Sequence, residues 1–287
     1  MSEFLENHGN EYAIDTNYCD FFGHNLTWNT NGYLKKLSDP NPAILQESAF
    51  LQDASRQEFS ELVSTVSPYS LLSRERLFSL YTLAKQICQN DLPGNFVECG
   101  SFKGGAAAML ATVIKRYSQR PRLLYAFDTF EGMPEPSEVD LHNGVAANDT
   151  GFGVGTLKAP IDENLAKICQ ILGVEAIAKP VQGLFADTLP NYKVEIGDIA
   201  LLHADGDWYE STMDIFRNLY NSVLPGAFVQ IDDYGHWEGC RQAIHDFEKE
   251  CGDSFDLQTI DYTGVWFQKN QKPKISSQKT KPKPKSK

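Results

Sequence analysis

Five short apolar runs, at 95–99, 123–127, 178–181, 199–204 and 227–231, recur along the chain among stretches of helical periodicity, and four of the five are followed at once by Gly or Asp. Runs that are apolar at nearly every position suit strands covered on both faces, as in buried parallel sheets. Leu77, Leu80, Tyr81, Ala84, Ile87 and Cys88 share one helical face behind Ser73 as N-cap, and Ala106, Met109, Leu110, Val113, Ile114 and Tyr117 share another. Residues 210–220 and 240–250 read as further helices, the second with a stripe of Cys240, Ala243, Ile244, Phe247 and Cys251. Strands alternating with such helices predict an α/β fold with a doubly wound, mostly parallel sheet. Residues 257–260 and 265–268, around Asp261-Tyr-Thr-Gly264, predict an antiparallel C-terminal hairpin.

Residues 1–70 differ from the rest. They are rich in Asn and aromatic side chains, lack periodicity until 49–66, and are expected to form an irregular segment and a helix that cover the main domain or act as a lid. Residues 71–268 carry the repeating pattern. From Lys269 to Lys287 there are eight lysines and no acid, interleaved with Pro, a composition that builds no core and is expected to be disordered. Without those eight charges the formal charge of the chain goes from −12 to −20, a body that should repel nucleic acid. No apolar run approaches the roughly eighteen residues of a membrane helix, and the N-terminus lacks a basic-then-apolar leader, so a cytoplasmic protein without a membrane partner is expected. The six cysteines form no close C-x-x-C pair and are expected to be reduced, with Cys88, Cys99 and Cys169 packed as small hydrophobes.

Two aspartate clusters close two of the apolar runs: His203-Ala-Asp205-Gly-Asp207-Trp-Tyr and Ile231-Asp232-Asp233-Tyr. Carboxylates held a few ångströms apart raise one another's pKa, and a hard divalent cation would stabilise the set. Mg²⁺ takes oxygen ligands in an octahedron and leaves positions open for water or substrate. The plainer reading makes each aspartate the N-cap of the helix after its strand. Val97-Glu98-Cys99-Gly100-Ser-Phe-Lys-Gly104-Gly105 is a strand, a Gly turn and a helix N-terminus with free N–H groups for a ligand. It matches neither G-x-G-x-x-G nor the Walker pattern, and the acid before Gly100 disfavours a pyrophosphate and suits an amine or a sulfonium. Asp128, ending the next strand, stands where an acid accepts hydrogen bonds from ribose hydroxyls. Glu98, Gly100, Gly104 and Asp128 thus form one ligand-binding constellation, although Glu98 paired with Lys103 would explain that acid as well. In a doubly wound sheet ligands bind beyond the C-terminal strand ends, so one cleft is expected to hold all these residues.

Val97-Glu-Cys-Gly-Ser-Phe-Lys-Gly-Gly105, Phe127-Asp-Thr-Phe-Glu-Gly-Met-Pro134, Asp205-Gly-Asp-Trp-Tyr-Glu-Ser-Thr212 and the Pro225-Gly-Ala-Phe-Val-Gln-Ile-Asp-Asp-Tyr-Gly235 block resemble the macrocin O-methyltransferase (TylF-like) family over residues 70–268. The resemblance implies a class I methyltransferase-like fold and an enzyme that uses S-adenosylmethionine (SAM) and Mg²⁺ to methylate a hydroxyl of a small-molecule natural product, as a homo-oligomer. It also implies roles: Asp205, Asp232 and Asp233 as metal ligands, Asp207 as general base, and Glu98, Gly100, Ser101 and Asp128 along the SAM site. Ser101-Phe102-Lys103 stands where the family often has Val-Trp-Arg, and Ala227 replaces a usual Gly.

Asp205-Gly-Asp207 alone would also fit a metal-dependent glycosyltransferase, but Glu98, Asp128 and the second aspartate pair would then have no task. A catalytically silent binding module would have no reason to keep four aspartates. His203 reads as a core or supporting group, and His236 as a substrate contact or auxiliary base. Trp208, Tyr209, Tyr234 and Trp237 are candidates for stacking on an acceptor, and the Gly-rich stretch 143–158 for a lid.

Overall fold

The computed structural model describes residues 54–270 and the backbone of two short strands before them. Those strands, β1 (Tyr12–Asp15) and β2 (Tyr33–Lys36), pair antiparallel where the sequence predicted irregular chain. The cover-or-lid expectation for the remainder of 1–53 and the disorder expected of the lysine-rich tail lie outside the described residues.

Two helices lead into the sheet, α1 (Ala54–Val66) and α2 (Arg74–Gln89). Ser73 caps α2 as expected, its Oγ accepting from the Arg76 N–H at 3.1 Å, and the stripe from Leu77 to Cys88 is buried. Next come β3 (Asn95–Cys99), α3 (Gly105–Tyr117), β4 (Leu124–Asp128), a short hairpin of β5 (Leu141–His142) and β6 (Val145–Ala146), α4 (Leu165–Leu172) and β7 (Ala178–Gln182). Then follow α5 (Phe185–Ile196), β8 (Ile199–Ala204), α6 (Tyr209–Leu219), β9 (Val223–Ile231), α7 (Glu238–Cys251), β10 (Gln258–Thr259) and β11 (Val265–Gln268).

The main sheet runs β10-β11-β9-β8-β3-β4-β7. Strands β9, β8, β3, β4 and β7 are parallel, and β11 and β10 close the edge antiparallel. This is the doubly wound sheet with a C-terminal hairpin that the pattern predicted. Successive strand residues serve opposite faces: Phe96 packs with α1 to α4, whereas its neighbour Val97 packs with α5 to α7. β7 is an edge strand, which is why Pro180 is tolerated inside it.

Helices α4 and α5 were not singled out from the sequence. α4 buries only Leu165, Ile168 and Cys169, and α5 only Leu189 and Ile196 around an internal Pro190, so neither shows a long stripe. Two expectations are corrected. Cys251, counted in the α7 stripe, is exposed beside the C-cap, while Cys240, Ala243, Ile244 and Phe247 are buried. Lys269, assigned to the solvated tail, is buried, its Nζ donating to the carbonyls of Tyr220 at 2.6 Å and Val223 at 2.8 Å. Cys88, Cys99 and Cys169 are buried free thiols. Among the described residues no helix is long and apolar enough to cross a membrane.

Candidate active site

Strand order reverses between β3 and β8, and a doubly wound sheet opens its ligand crevice at such a point. The register fixes which residues meet there. Cys99 lies opposite Ala204, and Ala204 opposite Ile231, so Gly100, Asp205 and Asp232 emerge side by side past three adjacent strand ends. The Asp205 N–H donates to the Cys99 carbonyl at 2.8 Å, and the Asp232 N–H to that of Ala204 at 3.0 Å. A Cβ on Gly100, which sits at φ +94°, would stand 1.8 Å from the Asp205 carbonyl oxygen, so only glycine allows this approach.

An open cleft of about 1280 Å³, including its solvent-filled mouth, is lined by Glu98, Gly100, Ser101, Asp128, Asp205, Asp207, Asp232 and Asp233. Gly104 is the exception among the expected ligand-binding residues. It turns into α3 at φ +81° against the Leu165 side chain and does not line the cleft, so its place is in packing. Asp128 accepts from the N–H of Phe102 and of Phe130, both at 2.7 Å, which joins the β3–α3 turn to the end of β4. Burial pushes its carboxyl upward against those two bonds. Glu98 pairs with His203 Nδ1 at 3.2 Å instead of Lys103, whose ammonium lies over the Phe102 ring. Glu98 Oε2 and Ser101 Oγ are buried with no hydrogen-bond partner, which leaves polar atoms for a ligand on this side of the cleft.

None of the four aspartates caps these helices, because the N-cap positions of α6 and α7 are held by Trp208 and Trp237 and carry no side-chain cap. Two sets of side chains converge to within 4.8 Å, His203 with Asp205 and Asp232, and Asp205 with Asp207 and Asp233. Asp205 belongs to both. Burial and then the charges of Asp232 and Asp233 raise Asp205 well above the usual carboxylate range. Burial and Asp233 do the same to Asp207, and burial with Asp232 pushes Asp233 up to about 6. Asp232 is held low: burial would raise it, but the Arg76 guanidinium and His203 outweigh that. His203 answers in kind, raised to about 9 by Asp232 and Glu98 against its own burial. Its Nε2 forms a long ion pair with Asp232 Oδ1 at 3.5 Å, and both atoms are buried without a well-formed hydrogen bond. A cluster of mutually repelling carboxylates with an orphaned oxygen aimed inward has the donor set of a hard divalent cation, so the residues fit Mg²⁺.

Arg76, which the sequence reading placed only within a helix, reaches this cluster from the first turn of α2. It is buried, pairs with Asp232 Oδ2, and bonds through Nε to Asp261 Oδ2 at 3.1 Å. Asp207 sits at φ +57°, a left-handed conformation that Asp and Asn adopt more readily than most residues. Its N–H donates to Asp233 Oδ2 at 3.2 Å.

The outer wall is aromatic. His236 stacks on His142 with ring centres 4.0 Å apart, and Phe152, Trp237 and Tyr262 surround the pair. Burial and the His142 ring hold His236 down to about 4, so it is neutral near pH 7. Trp208 is a core residue, its Nε1 donating to the Pro134 carbonyl at 3.0 Å, and Tyr209 and Tyr234 bond to Asp246 and His245 instead of lining the cleft. Within the stretch read as a lid, Phe152 and Leu157 line the cleft. The loop before it is anchored by buried Asp140, whose Oδ1 accepts from the Tyr209 N–H at 2.7 Å while Oδ2 accepts from the Ser137 N–H and hydroxyl.

Comparison with known proteins agrees with this geometry. The family model described as macrocin-O-methyltransferase (TylF) matches residues 26–269. The 8-demethyl-8-(2,3-dimethoxy-alpha-L-rhamnosyl)-tetracenomycin-C 4'-O-methyltransferase of Streptomyces olivaceus is 32% identical over 69% of the chain and 75% of its own length. The mycinamicin III 3''-O-methyltransferase of Micromonospora griseorubida is 28% identical over 79% of the chain and 87% of its own. The solved O-methyltransferase NovP superposes with a TM-score of 0.63 at 27% identity, covering 71% of the chain and 83% of NovP. A glycosyltransferase reading of Asp205-Gly-Asp207 finds no support among these matches. A doubly wound sheet with four aspartates at its switch point and a family match over most of its length make this chain a member of the macrocin O-methyltransferase (TylF) family, and an O-methyltransferase.

Proposed function

We propose that the protein transfers a methyl group from SAM to a hydroxyl of a glycosylated natural product, with a Mg²⁺ ion at the aspartate cluster. The observation that carries this reading is that the Glu98–Gly100–Ser101–Asp128 wall and the four aspartates face one cleft across the Gly100–Asp205 contact. Relatives named for methylating a tetracenomycin rhamnoside and mycinamicin III support the acceptor class. The family resemblance also implies a homo-oligomer.

In this reading Asp128 accepts from the ribose hydroxyls of the donor, and Glu98 and Ser101 meet its polar groups with the oxygens left free in the fold. Asp205, Asp232 and Asp233 would hold the cation, which when bound would lower the pKa of the acceptor hydroxyl. Asp207, two residues from Asp205, takes that proton through the oxygen not engaged by Trp237. The acceptor oxygen then bonds to the methyl carbon while the C–S bond breaks toward sulfur, which leaves a neutral thioether. Proton removal and in-line placement are the protein's tasks.

The test is mass spectrometry of assays containing SAM, Mg²⁺ and a panel of glycosylated and aglycone polyketides. A +14 Da product that needs both SAM and the cation supports the reading. Product formation after exhaustive chelation would remove the metal from it.

A further inference from the structure

Three of the four clustered carboxylates have one oxygen already taken by the protein. Asp232 gives Oδ2 to Arg76, Asp233 gives Oδ2 to the Asp207 N–H at 3.2 Å, and Asp207 gives Oδ1 to Trp237 Nε1 at 3.0 Å. The engagement of Asp232 is the strongest, because its partner is a cation. It is also the most firmly built. The Ser73 hydroxyl donates to Asp261 Oδ2 at 2.6 Å, and Arg76 Nε donates to the same oxygen at 3.1 Å. Asp261 Oδ1 accepts from the N–H groups of Thr263 and Gly264, and the Thr263 hydroxyl donates to the Asp232 carbonyl at 2.7 Å. A Cβ on Gly264 would meet Cγ and Cδ of Arg76 at 2.9 Å, so the turn between β10 and β11 is packed against the stem of that side chain. The ring of contacts holds both the Asp232 backbone and one of its oxygens, and leaves Oδ1, buried and without a hydrogen bond, facing His203 and the cluster.

From this arrangement we infer that Arg76 is a positioning residue for metal selection: it confines Asp232 to single-oxygen coordination and thereby biases the site toward a small octahedral cation over Ca²⁺. A dication drawing on both oxygens of Asp232 would have to share Oδ2 with a guanidinium. Ca²⁺ takes six to eight oxygens and commonly draws two from one carboxylate, whereas Mg²⁺ needs near-ideal octahedral geometry at shorter distances and takes carboxylates one oxygen at a time. The inference rests on the proposed metal role of Asp232, and the experiment below separates the two.

Loss of Arg76 also removes a positive charge, which would strengthen every divalent cation alike, so a single affinity is uninformative and the ratio is the quantity to read. Mn²⁺ binding to the full-length protein is followed by the electron paramagnetic resonance of free Mn²⁺, and Mg²⁺ and Ca²⁺ are titrated as competitors. If the wild-type protein takes up no Mn²⁺, the metal reading itself fails and this inference with it. If it does, Arg76→Gln should lower the ratio of Ca²⁺ to Mg²⁺ dissociation constants by about tenfold, the scale of one charge-assisted contact. Asp261→Asn, which keeps the cation but loosens its second anchor, should move the ratio in the same direction by less. It also serves as the test if Arg76→Gln does not fold, as judged by its melting temperature and S-adenosylhomocysteine binding. A ratio unchanged in the folded Arg76→Gln protein, or unchanged in Asp261→Asn should that alone fold, overturns the inference.

Discussion

The indole N–H of Trp237 donates to Asp207 Oδ1 at 3.0 Å, so the carboxylate with the left-handed backbone at the end of β8 is held from the start of α7. One oxygen is used for orientation, and the residue lines the cleft. Asp207→Asn keeps the backbone comfortable, because Asn tolerates the left-handed region, and keeps an oxygen for Trp237. It should therefore leave S-adenosylhomocysteine and Mn²⁺ affinities near wild type while kcat falls by roughly 10²–10⁴, the usual worth of a general base. Higher pH should restore part of the rate. A nearly silent substitution in steady-state assays would move the base elsewhere, with neutral His236 the next candidate.

Gly100 and Gly252 make a matched pair of tests. Both have positive φ, but a Cβ at Gly252 meets nothing within 4 Å, whereas at Gly100 it would stand 1.8 Å from the Asp205 carbonyl oxygen. Gly252→Ala should cost only the left-handed penalty of about 1–2 kcal/mol. Gly100→Ala should force β3 and β8 apart at the site and cost on the order of 3–5 kcal/mol, read as a melting temperature lower by roughly 10 °C. Equal shifts in thermal melts would mean that the Gly100–Asp205 approach is looser than the structure has it.

Asp128 holds two backbone N–H groups as well as lining the cleft. Asp128→Ala should weaken S-adenosylhomocysteine roughly ten- to a hundredfold by calorimetry, since both the ribose contacts and the shape of the β3–α3 turn depend on that carboxylate. Unchanged affinity would remove the donor from this wall.

Glu58 supplies a pH dependence away from the site. Burial would raise its carboxyl, but hydrogen bonds from Tyr117, Arg116 and Tyr81 outweigh that and hold it below its ordinary value of 4.5. A depressed carboxylate contributes stability that is fully present above its unfolded-state pKa and is lost as pH falls through the folded one. Glu58→Gln should thus be less stable than wild type near pH 7, by about 1–2 kcal/mol in urea melts, and the gap should shrink progressively below about pH 4.5. A gap that is constant down to pH 3 would mean that packing, not charge, makes Glu58 matter.

How much could be read beforehand follows from how far each signal reaches. Periodicity is local, so β3, β8 and β9 and the face of α2 were legible, and the rule that ligands gather at strand C-termini carried Asp128, Asp205, Asp232 and Asp233 into one cleft. Arg76 was legible only as a helix residue, because its partners lie 156 and 185 residues away and no local pattern encodes them. Gly104 shows the opposite difficulty: a glycine that accommodates Leu165 looks, in sequence, the same as one that admits a ligand. The α5 helix was invisible because an exposed helix with two buried residues and an internal proline leaves almost no stripe. The two hydrogen bonds that fix Asp207, one accepted from the Trp237 indole and one donated by its own N–H to Asp233, had no signal beyond the residue types themselves.

A helix leaves its first N–H groups without partners of its own. At the start of α6 the amide of Tyr209 is met by Asp140, from a loop sixty-nine residues earlier. Solvent reaches that proton only when the loop lets go. Its exchange with deuterium therefore reports the release of the Asp140 loop from the start of α6, in a protein that needs no label.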